Sequence, residues 1–285
     1  MTRTATLFVA ALVVAGCSQD EPVPPAPPPE DTTVDVAEAF RTLLDDHFER
    51  SLELSPLGAT SIGDDRYNDR YANSIGPEHR EAQRALNDEA LAGLEAIDRS
   101  ALEPADQLSY DIFRLLRENQ RAGESFPGHL MPMNQFYSAT STFVRLGSGK
   151  SLHPFNTVKD YDDFLGRVDG FVVYVDQAIA NMREGAQQGL TQPRILMEKY
   201  LPQVESQVVD SAEESGFFAP ILTMPESFDA ADRERLTEAY NAAIETRIVP
   251  TYARIANFVR DDYLVAARES VGMLALPGGP DWYAH

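Results

Sequence analysis

The sequence predicts an all-α fold, a multi-helix bundle with long, partly proline-kinked helices. Three observations carry that prediction. Apolar residues recur at three- and four-residue steps almost everywhere from Thr33 onward. Prolines stand at the starts of these periodic runs, where a missing N–H costs nothing. Only residues 136–144, FYSATSTFV, have the β-branched and aromatic character of a strand or short extended segment.

Taken in order, the first predicted helix carries Val36, Phe40, Leu43, Leu44 and Leu52 between acids and arginines. Pro77 opens a second, with Leu86, Leu91, Leu94 and Ile97, and Pro104 a third, with Leu108, Ile112, Leu115 and Leu116 on its apolar face. The clearest helix spans 158–184. Thr157 is its N-cap, and a broad stripe running from Tyr161 through Phe171 to Met182 predicts a core-facing side. Gly185 and Gly189 are expected to end it. A helix from Pro193 to about Ser211 follows, bent or restarted at Pro202. The last long helix begins at Asp229 and keeps its register to Tyr263 across Pro250, which should kink it.

With 285 residues, 43% of them hydrophobic, the chain can bury a substantial core. Lys and Arg total 24 against 45 Asp and Glu, a formal charge of -21. No basic stripe is present to track phosphates, which argues against nucleic acid and against electrostatic docking to anionic lipid. The first segment, MTRTATLFVAALVVAGC, has a basic start and an apolar run too short to span a bilayer, the pattern of a secretory signal. Val14-Ala15-Gly16-Cys17 resembles the bacterial lipobox, in which cleavage leaves an acylated cysteine at the new N-terminus. Cys17 is the only cysteine, so an exported chain offers it no disulfide partner. The expected organisation is a lipoprotein signal peptide over 1–16, a proline-rich tether over 17–33 and a helical domain over 34–285. The expected partner is a membrane, held through the lipid. Ser18 stands where an Asp retention signal would be, which implies the outer membrane in a Gram-negative host.

Catalytic motifs are sparse. GSGKS at 147–151 matches the end of a phosphate loop, but Val144 stands where another glycine is needed and Pro154 opposes the required helix, so no nucleotide is expected. There is no G-x-S-x-G elbow. Adjacent acids such as Asp45-Asp46, Asp162-Asp163 and Asp261-Asp262 fit solvated helix faces in so acidic a chain. The five histidines, His47, His79, His129, His153 and His285, include no pair one helical turn apart, as a helical zinc site requires. No catalytic residue and no metal ligand is therefore assigned.

Four stretches in order resemble the bacterial family catalogued as domain of unknown function 885. They are SPLGATSIGDDRYNDRY (55–71), MNQFYSATSTF (133–143), the long run from Thr157 to Val204 with its Met-Arg-Glu-Gly and Pro-Arg signposts, and GMLALPGGPDWY (272–283). The resemblance implies kinship with gluzincin-type zinc metallopeptidases, all-helical proteins roughly twice this length whose H-E-x-x-H-like signature lies in the C-terminal half. That half is not in this sequence, so zinc is expected only together with it. What the resemblance carries over is scaffold, part of a cleft for peptides near Asn134, Gln135 and Tyr283, and no catalytic residue. ALPGGPDWYAH, at 275–285, looks like the middle of the family pattern, so the chain is expected to be an N-terminal portion. In that case Leu274, Leu276, Trp282, Tyr283 and a flank of the 230–266 helix should form an uncovered apolar edge. The alternative is a complete helical lipoprotein that binds or scaffolds without chemistry.

Overall fold

The computed structural model describes residues 35–285. The signal peptide, the tether and Cys17 lie outside the described residues. Helix α1 (Val36–Leu54) starts at Asp35, whose Oδ1 accepts the N–H groups of Ala37 and Glu38 at 2.9 and 3.4 Å. The short α2 (Pro56–Ser61), α3 (Pro77–Glu95) and α4 (Pro104–Gly123) each open on proline. A cluster of Phe40, Leu94, Leu102 and Tyr110 joins α1, α3 and α4. Its Tyr110 hydroxyl donates to the Leu94 carbonyl at 2.9 Å.

The side of α4 that meets this cluster is not the one the sequence indicated. Tyr110 is its buried residue, whereas Leu108, Ile112, Leu115 and Leu116 are all at least half exposed. The helix carries apolar groups on two sides, and the aromatic side is the one that reaches Leu94.

Residues 136–144 are not extended. Ser138 accepts the Ser141 N–H and starts α5 (Ala139–Gly147), so side-chain capping and burial of Phe143 outweigh the β-branched composition. The capping box of Thr157 and Asp160 starts α6 (Val158–Gln187). Gly185 does not end it. Its missing Cβ lets the Leu190 and Leu130 carbonyls approach, and the left-handed Gly189 (φ +74°) makes the stop two residues past the helix end.

Helix α7 (Arg194–Glu205) accommodates Pro202 without a break and stops short of Ser211. After the one-turn α8 (Ala219–Leu222), Asp229 caps α9 (Ala230–Ala243). Helical backbone then runs on through a π segment (Ile244–Ile248), α10 (Val249–Asn257), a second π segment (Phe258–Tyr263) and α11 (Leu264–Ala266). The first π segment lies just before Pro250, which lacks the N–H that an α-turn would donate and whose ring would press on the Thr246 carbonyl. The wider turn relieves both conflicts.

Helix α6 is the spine. Phe164 and Phe171 stack on Phe143 of α5, with Phe143 and Phe171 ring centroids 3.9 Å apart, and Tyr240 and Tyr252 close the cluster from the last helix. The chain ends in α12 (Gly279–Ala284), entered through the left-handed Gly278. Leu276 is buried with Leu130 and Leu190, and Trp282 stacks on Phe126, so these two residues do not form the expected apolar edge. Leu274 and Tyr283 are exposed as anticipated, and on the 230–266 helix the only exposed large apolar residue is Val265 at its end. The tail folds back because Gly278 turns it onto the 126–130 loop.

Candidate functional site: a three-part groove

The segment before α5 is built to present aromatic side chains. Asn134 Oδ1 accepts the N–H groups of Phe136 and Tyr137 at 2.8 and 3.0 Å, a turn that sends both rings outward. Phe136 is 68% and Tyr137 81% exposed. From below, the segment is held by phenols. The Tyr252 hydroxyl donates to the Thr140 carbonyl at 2.7 Å, and the Tyr200 hydroxyl lies 2.9 Å from Thr140 Oγ1. Burial pushes both phenols up, so they stay neutral donors.

Three adjoining recesses run past this segment. The central one, about 380 Å³, lies between α2, residues 71–74 and 132–142, with Tyr71, Tyr174, Phe136 and Tyr137 on its walls. Phe136 and Arg145 also border a recess of about 480 Å³ toward α7, which Gln135, Ser141 and Gln203 line. Tyr174, Ser74 and Pro132 also border a third, of about 480 Å³, between the first two turns of α3 and the end of α4. That recess holds His79, Arg80, Arg84, Glu124 and His129. Asn181 on α6 ties its two walls together, its Nδ2 donating to the Ile75 and His129 carbonyls at 3.1 and 3.0 Å.

Apart from one ion-paired acid, the groups facing the groove are neutral or cationic. Burial lowers His79; burial and then the Arg80 charge lower His129, so both imidazoles are neutral at neutral pH. Burial pushes the Tyr174 phenol up to about 12. The one acid along the groove, Glu124, is bonded to Arg84 Nε at 2.9 Å.

Of the residues singled out in the sequence, Gln135 lines the groove, Asn134 shapes it from the turn, and Tyr283 lines none of the three recesses. Tyr283 is on α12, where Trp282 turns inward and leaves it in solvent. Two further histidines, His47 and His153, are held in packed surroundings away from the groove. His47 Nε2 lies 2.9 Å from Arg117 Nη1, with the ring edge-on to Phe113, and burial first, then Arg117, brings its pKa to about 4. His153 Nε2 donates to the Asp160 carbonyl at 2.8 Å among Phe155 and Phe164, and burial likewise lowers it to about 4. Gly147 ends α5 against Phe217 and Phe164, and the next helix begins only at Val158, so no helix follows Ser151 as a phosphate loop requires. The residues present also do not fit zinc: among the described residues, no three His, Cys, Asp or Glu side chains are grouped closely enough to hold a metal ion.

Arg145, Arg80 and Tyr174 are groove residues that sequence reasoning missed. Tyr174 sits inside the α6 apolar stripe and is indistinguishable there from core. Arg145 did carry a signal: no Asp or Glu occurs between Glu124 and Asp160, a long acid-free window in a chain with 45 acids.

The fold and the groove together define an all-helical domain with an elongated surface cleft. The chain belongs to the family described as bacterial protein of unknown function (DUF885), whose profile matches residues 56–285 and so takes in nearly the whole groove. Among solved structures it is similar to one described as "the putative lipoprotein from Colwellia psychrerythraea", with a TM-score of 0.71 and 17% identity. The match covers 88% of this chain and 45% of that one, so the two share a fold and this chain spans less than half of that structure. No curated protein matches the chain.

Proposed function

We propose that this chain is the peptide-binding, non-catalytic part of an exported, lipid-anchored protein. The observation that carries the reading is the row of three adjoining recesses, whose shared walls, exposed aromatics and neutral hydroxyls suit an extended chain better than a small metabolite. The anchor reading is supported by the lipobox-like Val14–Cys17 run and by the description of the similar structure as a lipoprotein. In a Gram-negative host the anchor would lie in the outer membrane. In longer family members this domain would face a zinc-peptidase-like half that supplies the metal ligands and the base. No hydrolytic step is assigned to residues of this chain; among the described residues no donor groups assemble a metal site. The packing of Trp282 on Phe126 and the burial of Leu276 favour a second reading, in which the domain acts by itself as a binding or scaffold module.

One preparation tests both parts of the proposal. Wild type should fractionate with membranes and Cys17→Ser with the soluble proteins. Both should bind labelled extended peptides, and the Phe136→Ala/Tyr137→Ala variant should bind about tenfold more weakly, the equivalent of losing two aromatic contacts. A membrane-bound Cys17→Ser variant would remove the anchor. Peptide binding that ignores the aromatic pair would remove the groove.

A further inference from the structure

Charge is distributed against the trend of the molecule along the groove. The chain carries -21, yet the three recesses are lined by Arg145, Arg80 and Arg84 with Glu124 as their single acid. Glu124 is already bonded to Arg84. Elsewhere arginines are mostly ion-paired, as Arg66 is with Asp64, Arg99 with Asp111 and Arg235 with Asp162. Arg145 and Arg80 have no carboxylate within 4.0 Å among the described residues.

Two unpaired guanidinium groups in so acidic a molecule, both on one groove and one of them (Arg145) inside the acid-free stretch between Glu124 and Asp160, leave a charge that a ligand can complete. We propose that the groove selects carboxylates, and that its occupant is an extended acidic peptide held at Arg145 and Arg80.

The inference rests on the reading of the groove as a peptide site. Arg145 borders the recess toward α7 and the central recess, whereas Arg80 borders the third, so a ligand engaging both is elongated. Between them the Tyr174 hydroxyl, which has no hydrogen-bond partner among the described residues, is a neutral donor suited to a carboxylate oxygen or a peptide carbonyl. Guanidinium pairs two N–H groups with one carboxylate, which gives direction as well as charge. Three arginines are too few for a polyphosphate backbone against the net charge of the whole, which favours a peptide with spaced acids over a nucleic acid. At physiological salt the screening length is about 8 Å, so the distant acids of the domain weigh little on a carboxylate in contact with Arg145.

The test uses the full chain and three labelled octapeptides followed by fluorescence anisotropy: alternating Glu and Ser, its Gln isostere, and its Lys counterpart. The Glu peptide should bind about tenfold more tightly than the Gln peptide, as expected for one or two charge-assisted contacts, and the Lys peptide least. Arg145→Gln and Arg80→Gln should each reduce the ratio of Glu-peptide to Gln-peptide affinity, and the double variant should bring that ratio to about one. Arg99→Gln, at an exposed pair outside the groove, should change nothing. Equal binding of the Glu and Gln peptides would overturn the carboxylate selectivity and leave peptide binding standing. Binding of no peptide at all would overturn both. A preference that survives in the double variant, or tight binding of a polyanionic polysaccharide without binding of the Glu peptide, would also overturn the inference.

Discussion

Arg167 on α6 is wholly buried, and its Nη2 donates to Thr60 Oγ1 and Asn68 Oδ1 at 2.5 and 3.0 Å. In this way one side chain pins α2 and the 64–71 loop, and with them Tyr71 on the groove wall. Among the described residues its Nε and Nη1 have no partner, and burial pulls its pKa down to about 10 against the partial support of Asp163 and Asp69. A buried cation with unpaired donors is costly, so its charge should not be what stabilises the fold. Asn68 Oδ1 also accepts the Thr60 hydroxyl at 2.7 Å, so it keeps a donor when the guanidinium is removed. Arg167→Met, which keeps the volume, should therefore cost no more than about 1.5 kcal/mol. Arg167→Ala, which opens a cavity beneath α2, should cost about 3 kcal/mol or more. Urea unfolding of the two variants separates the cases, and equal losses would show that the charge itself is required.

At the scale of elements, α6 works through what it lacks. A Cβ on Gly170 would stand 2.3 Å from the Tyr71 carbonyl oxygen, and one on Gly166 would stand 2.8 Å from that of Asp69. These two glycines, one turn apart, let the 69–71 backbone lie directly on the helix. Glycine inside a helix ordinarily costs about 1 kcal/mol relative to alanine, so Gly170→Ala would stabilise the protein if there were room. Here it should destabilise by about 1–3 kcal/mol, because the loop must be pushed away. It should also weaken peptide binding, because Tyr71 moves with the loop. A stabilised Gly170→Ala protein in thermal unfolding would contradict the packing. Local signals made most elements legible in the sequence: Pro77, Pro104, Thr157 and Asp229 start helices where expected. Failures came where tertiary contacts decide. Composition favoured an extended 136–144, but the Ser138 cap and the Phe143 stack made it α5. Periodicity found the apolar groups of α4 but could not say which side meets α1 and α3. Asn134 and Gln135 were found near the groove through family resemblance, whereas Arg80 and Tyr174 reach it only through folding.

Across the whole domain, two surfaces compete as places for a ligand. One is the groove, with its exposed aromatics and unpaired arginines. The other is the row of Leu108, Ile112, Leu115 and Leu116 on the outer side of α4, which is apolar but has no wall. Binding sites for chains are concave and carry a few placed polar groups, which favours the groove. The most direct test is photo-crosslinking of a benzophenone-bearing extended peptide to the full chain, with adducts mapped by mass spectrometry. Adducts concentrated in residues 132–145 and 71–84 are the predicted result. Adducts concentrated on the outer side of α4, or scattered over the surface, would contradict a peptide-binding groove.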